Sequence, residues 1–237
     1  MKYFLFYVAL VLSFILTACG GEPPKESPGP PQPAPPAAPA APAAPKKSLP
    51  KIIAFGDSLT AGFGLPVEAS YPSLLQDRLN RDGFEYEVVN AGVSGDTSAG
   101  GVGRIDWALE GDVRVVILEL GANDILRGQP IPAMKKNLGD IIERAKARGA
   151  QVLLAGMEAP TNMGIQYRKA AHDAYQSLAR EHGVPLIPFF LDRVAGIESL
   201  NQSDRIHPNA EGTKVVAETV YKSLKPILEK QARPPAG

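Results

Sequence analysis

Short apolar runs alternate with longer amphipathic stretches from about residue 50 to residue 230. The short runs are rich in Val, Ile and Leu, which is typical of strands that a parallel sheet buries on both faces. The longer stretches repeat apolar positions at helical spacing and end at glycine or proline. This alternation predicts a doubly wound α/β fold with about five parallel strands in the order 2-1-3-4-5.

The pattern also predicts where the elements lie. A first strand ends just before Ser58, and Pro185 and Pro188 favour an edge position for the fifth strand. Asn209 is expected to cap a last helix, which Pro226 should kink or end. The later strands are predicted at residues 85–90, 113–120, 151–156 and 184–190, and the earlier helices at residues 71–81, 131–148 and 167–182.

The N-terminal fifty residues differ from the remainder. A basic start and a short apolar core predict a signal peptide over residues 1–18. The string Leu16-Thr17-Ala18-Cys19-Gly20 resembles the bacterial lipoprotein cleavage box, which makes Cys19, the only cysteine, a lipidation site; an ordinary cleaved signal is the alternative. Residues 19–50 are rich in Pro and Ala and predict an extended tether, followed by a folded domain at 51–230 and a tail at 231–237.

These features predict a cell-envelope protein that a lipid anchor holds at the periplasmic face of a bacterial membrane, with the outer membrane favoured. The chain has 25 basic and 25 acidic residues and no basic cluster, which excludes nucleic acid as a partner class. No obligate protein partner is evident from the pattern.

Polar residues follow the carboxyl ends of several predicted strands, where open parallel sheets bind their ligands. Ser58 is a nucleophile, the N-cap of the next helix, or both. Asp204 and His207 are three residues apart, a spacing expected to place both side chains on one helical turn, so that the acid orients the imidazole as a base for the serine. The N–H groups of Ser58 and Gly92 and the amide of Asn123 are candidate donors to an oxyanion.

Four short blocks carry a family resemblance. They are Gly56-Asp57-Ser58-Leu59, Asn90-Ala91-Gly92, Gly121-Ala122-Asn123-Asp124 and Asp204-x-x-His207. Their order and spacing resemble the SGNH (GDSL) hydrolase superfamily, and residues 91–101 and 121–128 are similar to its thioesterase I, lysophospholipase and arylesterase branch. The resemblance implies a three-layer αβα, flavodoxin-like fold, a triad of Ser58, Asp204 and His207, an oxyanion hole from Ser58, Gly92 and Asn123, and no cofactor or metal.

Apolar residues in the predicted loops suggest a groove for an acyl chain. The candidate substrate-binding residues are Ile125, Leu126, Met157, Pro160, Met163 and Ile165, and Ile125 is expected to narrow the entrance. Asp57 and Asp124 are expected to fix turns through backbone N–H groups rather than to act in catalysis.

The favoured function is a serine esterase that acts on small-molecule or lipid esters, namely fatty-acyl or aryl esters, including lysophospholipids and thioesters. The alternatives are an O-acetyl esterase of cell-envelope polysaccharide and a surface lipoprotein that binds without catalysis.

Overall fold

The computed structural model describes residues 48–232, and at their centre is a parallel sheet. Its strands are ordered β2-β1-β3-β4-β5, which confirms the predicted topology. The strands are β1 (Lys51–Gly56), β2 (Glu87–Gly92), β3 (Val113–Glu119), β4 (Gln151–Ala155) and β5 (Leu186–Ile187).

Helices cover both faces of the sheet and complete the three layers. In one layer α3 and α6 both pack against α5, and in the other α2 packs against α7. The helices are α1 (Ser58–Ala61), α2 (Tyr71–Arg81), α3 (Ser98–Ala108), α4 (Ala122–Leu126), α5 (Ile131–Ala147), α6 (Ile165–His182) and α7 (Ala210–Ala232). Single turns of 3-10 helix occur at Val67–Ala69, Thr161–Met163 and Glu198–Leu200.

The central strands form the middle of the core. In β1 every residue after Lys51 is buried, and in β3 only Arg114 is exposed. Burial on both faces explains why these segments are continuous apolar runs without alternation. At the carboxyl end of the sheet the strands give way to the polar loops predicted from the sequence, so a rigid apolar platform positions the candidate site.

The edges of the sheet differ from the prediction. The strand predicted at 184–190 is reduced to two residues, because Pro185 and Pro188 lack the N–H that a longer ladder needs. Its predicted edge position is confirmed. The strand β2 begins two residues later than predicted, at Glu87.

The helices also depart from the prediction in three places. The sequence reasoning did not identify α3 or α4, which begin in the turns after β2 and β3. Asn209 caps the last helix as expected, since its side-chain oxygen accepts the N–H groups of Glu211 (3.0 Å) and Gly212 (3.1 Å). Pro226 was predicted to kink or end that helix; the helix continues past it to Ala232, so the second of these outcomes, an end at the proline, is wrong.

Three predicted segments lie wholly or mostly outside the described residues. These are the signal peptide with Cys19 and most of the tether, and nearly all of the C-terminal tail. None of the helices within residues 48–232 combines the length and the hydrophobicity needed to cross a membrane.

Candidate active site

Ser58 is the first residue of α1, at the carboxyl end of β1. Asp57 rather than Ser58 is the N-cap, because its Oδ1 accepts the N–H of Leu59 at 3.0 Å. The alternative in which Ser58 serves as the cap is therefore wrong. Gly56 is the last residue of β1, and a Cβ there would overlap the Thr60 hydroxyl and the Glu119 carboxylate.

The loop before α7 places an imidazole against this serine. His207 Nε2 lies 2.9 Å from Ser58 Oγ, and His207 Nδ1 lies 2.6 Å from Asp204 Oδ2. Asp204 Oδ1 also accepts the N–H groups of Ile206 (2.9 Å) and His207 (3.0 Å). Residues 149 positions apart in the sequence thus meet within hydrogen-bond distance.

The backbone here is not the helical turn that the three-residue spacing suggested. Residues 203–207 form a bend, and Arg205 adopts a left-handed φ of 60°. The two side chains meet because the Asp204 carboxylate folds over the turn and binds its N–H groups, as acidic residues commonly do in loops. The expected contact is present, but through different local geometry.

The charge on Asp204 sets the proton positions of the imidazole. The backbone N–H of His207, followed by its side chain and the N–H of Ile206, lowers the pKa of Asp204 to about 2. An ionised carboxylate can only accept, so Nδ1 carries the hydrogen and Nε2 is left as an acceptor for the Ser58 hydroxyl. This tautomer is assigned from the hydrogen-bond network.

The residues that line the space around Ser58 include two whose backbone N–H groups are candidate donors, Ser58 itself and Gly95. Within the described residues, neither the N–H of Ser58 nor that of Gly95 donates to a protein acceptor. Gly95 lines the same cavity as Ser58, Asn123 and His207, with a φ of 81°. Both groups can therefore donate to an oxygen bound there.

Gly92 does not belong to this set, and its prediction as an oxyanion donor is wrong. Its N–H donates to Asn90 Oδ1 at 3.0 Å. A Cβ at Gly92 would collide with the backbone of Thr60 and Ala61, so this glycine allows β2 and α1 to pack closely. The sequence reasoning chose the wrong glycine of the two in this turn, and missed Gly95.

Asn123 lies at the start of α4 and is held from two sides. Its Nδ2 donates to Asp57 Oδ2 at 3.0 Å and to the backbone oxygen of Asp96 at 2.9 Å. The amide therefore joins Asp57, the residue before the serine, to the loop that carries Gly95.

A buried pair of carboxyl groups lies beneath the serine. Glu119 Oε2 accepts the Asp57 N–H at 3.2 Å and the Thr60 hydroxyl at 2.8 Å. Burial, and then the charge of Asp57, raise the pKa of Glu119 well above its ordinary value. Burial also raises the pKa of Asp57 to about 6, although hydrogen bonds from Leu59 and Asn123 oppose the shift. Burial therefore disfavours the ionised form of both carboxyl groups.

The loop that carries Gly95 is held in place by two arginines. Arg104 binds Asp96 Oδ2 at 2.7 Å and donates to the backbone oxygen of Gly56 at 2.8 Å. Arg127 donates to the oxygen of Gly95 at 2.9 Å. These contacts fix the peptide next to the serine without occupying its cavity.

Asp124 has a structural role in the next turn, as the sequence reasoning expected. Its carboxylate accepts the N–H of Ser98 at 2.8 Å and the Ser98 hydroxyl at 2.6 Å. These bonds tie α4 to the beginning of α3.

A cavity of about 250 Å³ opens above Ser58. Of the six predicted substrate-binding residues, the described part of the chain places Leu126 in its lining. Apolar lining residues that the sequence reasoning missed are Leu59, Phe63 and Ile206. The Phe63 ring also lies against the His207 ring, with centroids 4.7 Å apart.

The other five predicted substrate-binding residues lie elsewhere. Ile125 and Met157 are buried in the core, so neither narrows nor lines an entrance. Met163 packs against the core from its 3-10 turn. Pro160 and Ile165 are exposed but do not line the cavity. An apolar residue in a loop need not contact substrate, because such side chains also anchor loops to the core.

Comparison with known proteins agrees with this geometry. The model of the GDSL-like Lipase/Acylhydrolase family matches residues 54–215, a span that contains Ser58, Asn123, Asp204 and His207. The chain belongs to this hydrolase family. Members of the family are enzymes, and this chain has the fold and the residue blocks of one.

The relatives carry names of ester-cleaving enzymes. Esterase TesA of Pseudomonas aeruginosa is 40% identical over 178 residues, which cover 75% of this chain and 89% of that protein. Thioesterase 1/protease 1/lysophospholipase L1 of Escherichia coli K12 is 37% identical over 178 residues, which cover 75% of this chain and 84% of that protein.

A solved structure shows the same architecture. The psychrotrophic esterase EstA from Pseudoalteromonas sp., crystallised with monoethylphosphonate as inhibitor, superposes with a TM-score of 0.72 at 33% identity. The match covers 76% of this chain and 98% of that one. The GDSL family assignment and the αβα fold are thus established independently.

Proposed function

We propose that this GDSL hydrolase is a serine esterase in which Ser58 is the nucleophile, His207 the general base and Asp204 the orienting acid. The observation that carries the proposal is the continuous chain of two hydrogen bonds from Ser58 Oγ to Asp204, at 2.9 and 2.6 Å. A nucleophile bonded to a base that is in turn bonded to an orienting carboxylate is the arrangement that acyl transfer requires.

The reaction follows from these contacts. Ser58 Oγ attacks the ester carbonyl carbon while His207 Nε2 takes the hydroxyl proton. When the tetrahedral intermediate collapses, His207 returns that proton to the leaving alcohol and an acyl-serine remains. A water molecule then gives a proton to His207 and attacks the acyl carbon. When this second intermediate collapses, the bond from the carbon to Ser58 Oγ breaks, His207 returns the proton to Ser58 Oγ, and the acid is released.

Three donors surround the position of the negative oxygen in the intermediates. We assign this role to the N–H groups of Ser58 and Gly95, and to Asn123 Nδ2 once its bond to the Asp96 oxygen is exchanged for one to the oxyanion, because its two hydrogens are otherwise donated to Asp57 and Asp96. The two backbone groups have no protein acceptor within the described residues, and the Asp57 and Asp96 oxygens hold the Asn123 amide beside them. Each such donor typically contributes about 10²–10³ in kcat.

Apolar side chains at the cavity support fatty-acyl or aryl esters as the substrate class. Phe63, Leu126 and Ile206 line it and remain 51%, 46% and 48% exposed. Such side chains lose apolar exposed area when an acyl chain or an aromatic ring lies against them. The Escherichia coli relative is named as a thioesterase and lysophospholipase, which favours extending the proposal to thioesters and lysophospholipids.

Two measurements on the purified protein test this function. A fluorophosphonate probe should label the wild type and fail to label Ser58→Ala, which should also lose turnover of p-nitrophenyl esters. A series from acetyl to dodecanoyl esters should show kcat/KM rising beyond acetyl. Labelling or turnover that survives in Ser58→Ala would refute the nucleophile, and a clear optimum at acetyl would favour the O-acetyl esterase alternative.

We also propose that the enzyme is anchored through Cys19 at the periplasmic side of a bacterial membrane. The support is the cleavage-box resemblance in the sequence. The wild type should fractionate with membranes and carry acyl groups by mass spectrometry, whereas Cys19→Ser should be released or left unprocessed. Equal fractionation and equal mass after processing would contradict the anchor.

A further inference from the structure

Two segments that lie far apart in the sequence form the proposed site. We call residues 57–65 the serine turn and residues 201–209 the histidine loop. Within the described residues, two hydrogen bonds join them. One is the bond between the serine and histidine side chains described above. In the other, Gln202 Nε2 donates to the backbone oxygen of Phe63 at 2.8 Å.

The second bond belongs to a closed circuit. The N–H of Phe63 donates to the backbone oxygen of Ser58 at 3.0 Å, and the N–H of Gln202 donates to that of His207 at 2.8 Å. With the Gln202–Phe63 bond and the Ser58–His207 bond, these contacts form a ring of four residues. The Gln202 side chain therefore connects the backbone at His207 to the backbone at Ser58, in addition to the direct bond between their side chains.

The amide of Gln202 fits closely in this position. Its Nε2 also donates to the backbone oxygen of Pro208 at 3.0 Å, so both of its hydrogens are used. Beneath it lies Gly64, with a φ of 74°, where a Cβ would overlap the Gln202 amide oxygen. A side chain at position 64 would displace the amide, which is consistent with a glycine there.

Other contacts hold the histidine loop but do not involve the serine turn. The Asn201 amide donates to the backbone oxygens of Val194 and Ile197, at 2.7 and 2.8 Å. These bonds fix the loop against the segment that precedes it. Neither bond reaches the serine turn, which contacts the loop through the Gln202 bond, the Ser58–His207 bond and the Phe63–His207 ring contact.

We propose that Gln202 is a positioning residue that holds the His207 imidazole at bonding distance from the Ser58 hydroxyl. The inference rests on the proposed serine esterase function and extends it to a residue that does not touch substrate. Its effect should be on the chemical step, because a reacting group displaced by about 1 Å can lose roughly 10² in rate.

Gln202→Met tests the proposal, since Met has a similar length but neither amide donor. We expect kcat for a p-nitrophenyl ester to fall roughly 10- to 100-fold and KM to stay within about twofold. The second-order rate of inactivation by a fluorophosphonate should fall by the same factor, because it reports the reactivity of Ser58. A purely structural residue would not lower kcat and the labelling rate together in protein that is fully folded.

Gln76→Met is the matched control. The Gln76 side chain also bridges two elements, donating to the backbone oxygen of Tyr86 at 2.9 Å and accepting the N–H of Val88 at 2.7 Å. It joins α2 to β2 and to Tyr86 just before that strand, and none of these residues lines the cavity. This variant should have a lower unfolding temperature than the wild type, with kcat and the labelling rate unchanged.

The outcomes separate this proposal from the esterase function. If Gln202→Met retains the wild-type kcat and labelling rate while Ser58→Ala is inactive, the positioning role is refuted and the nucleophile stands. If Gln202→Met does not fold, Gln202→Asn, whose amide is one methylene shorter, should fold and show the same fall in kcat. Failure of both variants to fold would overturn the proposal, because it would assign Gln202 to stability.

Discussion

Asn123 Nδ2 donates to Asp57 Oδ2 at 3.0 Å, so a buried carboxylate beside the nucleophile holds a proposed oxyanion donor. Asp57 was expected only to fix its own turn, and it does bind the Leu59 N–H. Its second oxygen also accepts a hydrogen bond from the Asn123 side chain on α4, across the site. The N-cap of a four-residue helix thereby orients a side chain 66 positions away in the sequence.

Asp57→Asn should weaken catalysis through Asn123. If the new amide oxygen keeps the bond from Leu59, its nitrogen faces Asn123 Nδ2, and two donors then oppose each other. We expect kcat to fall roughly 10- to 100-fold, less than the 10²–10³ that loss of an oxyanion donor costs. Steady-state kinetics on Asp57→Asn, Asn123→Ala and the double variant would measure this.

The double variant provides the control for that prediction. Because Asp57 acts through Asn123, adding Asp57→Asn to Asn123→Ala should cause little further loss. Strictly multiplicative losses would mean that the two residues act independently.

The buried position of Asp57 also predicts how stability depends on pH. Folding raises its pKa from 3.8 to about 6, so the folded state binds the extra proton between those values. The contribution of Asp57 to the free energy of unfolding is therefore fully present below pH 3.8 and is lost as the pH rises through 6. The total loss is about 3 kcal/mol. Burial, and then the charge of Asp57, also raise the pKa of the neighbouring Glu119 well above its ordinary value.

Urea unfolding of the wild type and Asp57→Asn at about pH 4, 5, 6 and 7 measures this contribution. Other carboxylates contribute to both curves, so the relevant quantity is the difference between the two proteins. The variant should gain stability relative to the wild type as the pH rises across this series. Parallel curves would show that Asp57 keeps an ordinary pKa in the folded protein.

The sequence predicted the sheet order well because β1 and β3 are buried on both faces, and their apolar runs have only one common structural interpretation. It could not distinguish Gly92 from Gly95. The difference depends on which N–H already has an acceptor, and for Gly92 that acceptor is the folded side chain of Asn90.

The predicted substrate-binding residues give a second case in which the sequence could not tell which of two nearby residues faces the site. Ile125 and Leu126 are neighbours on α4, yet one is buried in the core and the other lines the cavity. A helix of five residues is too short to show a periodic pattern from which its buried face could be identified. The Gln202 contact is also invisible in the sequence, since it joins residues 139 positions apart.

Glu119 should be replaceable by a neutral isostere but not by an apolar one. Glutamine retains an oxygen to accept the N–H of Asp57 and the Thr60 hydroxyl, so Glu119→Gln should keep kcat within about twofold of the wild type. Glu119→Leu leaves two buried donors without an acceptor, which should cost about 2–4 kcal/mol in the free energy of unfolding. Denaturant unfolding and steady-state kinetics on both variants provide the comparison. Equal destabilisation by Gln and Leu would mean that the acceptor oxygen is not what Glu119 contributes to stability.

Asp204→Asn should remove most of the activity while leaving the fold intact. The Asp204 carboxylate is ionised at neutral pH, and its Oδ2 accepts the hydrogen of His207 Nδ1. An amide nitrogen in that place would favour the opposite tautomer, in which Nε2 carries the hydrogen and cannot accept one from Ser58.

Asp204→Asn is therefore expected to lower kcat by roughly 10⁴, with a much smaller change in KM. Its amide oxygen can still accept the N–H groups of Ile206 and His207, so the unfolding temperature should stay close to that of the wild type. Asparagine is a sharper test than a shorter side chain such as alanine, because Asp204→Ala would also remove the acceptor that holds the turn. A loss of kcat below about tenfold in a folded Asp204→Asn protein would mean that another group orients His207, and the triad assignment would have to be withdrawn.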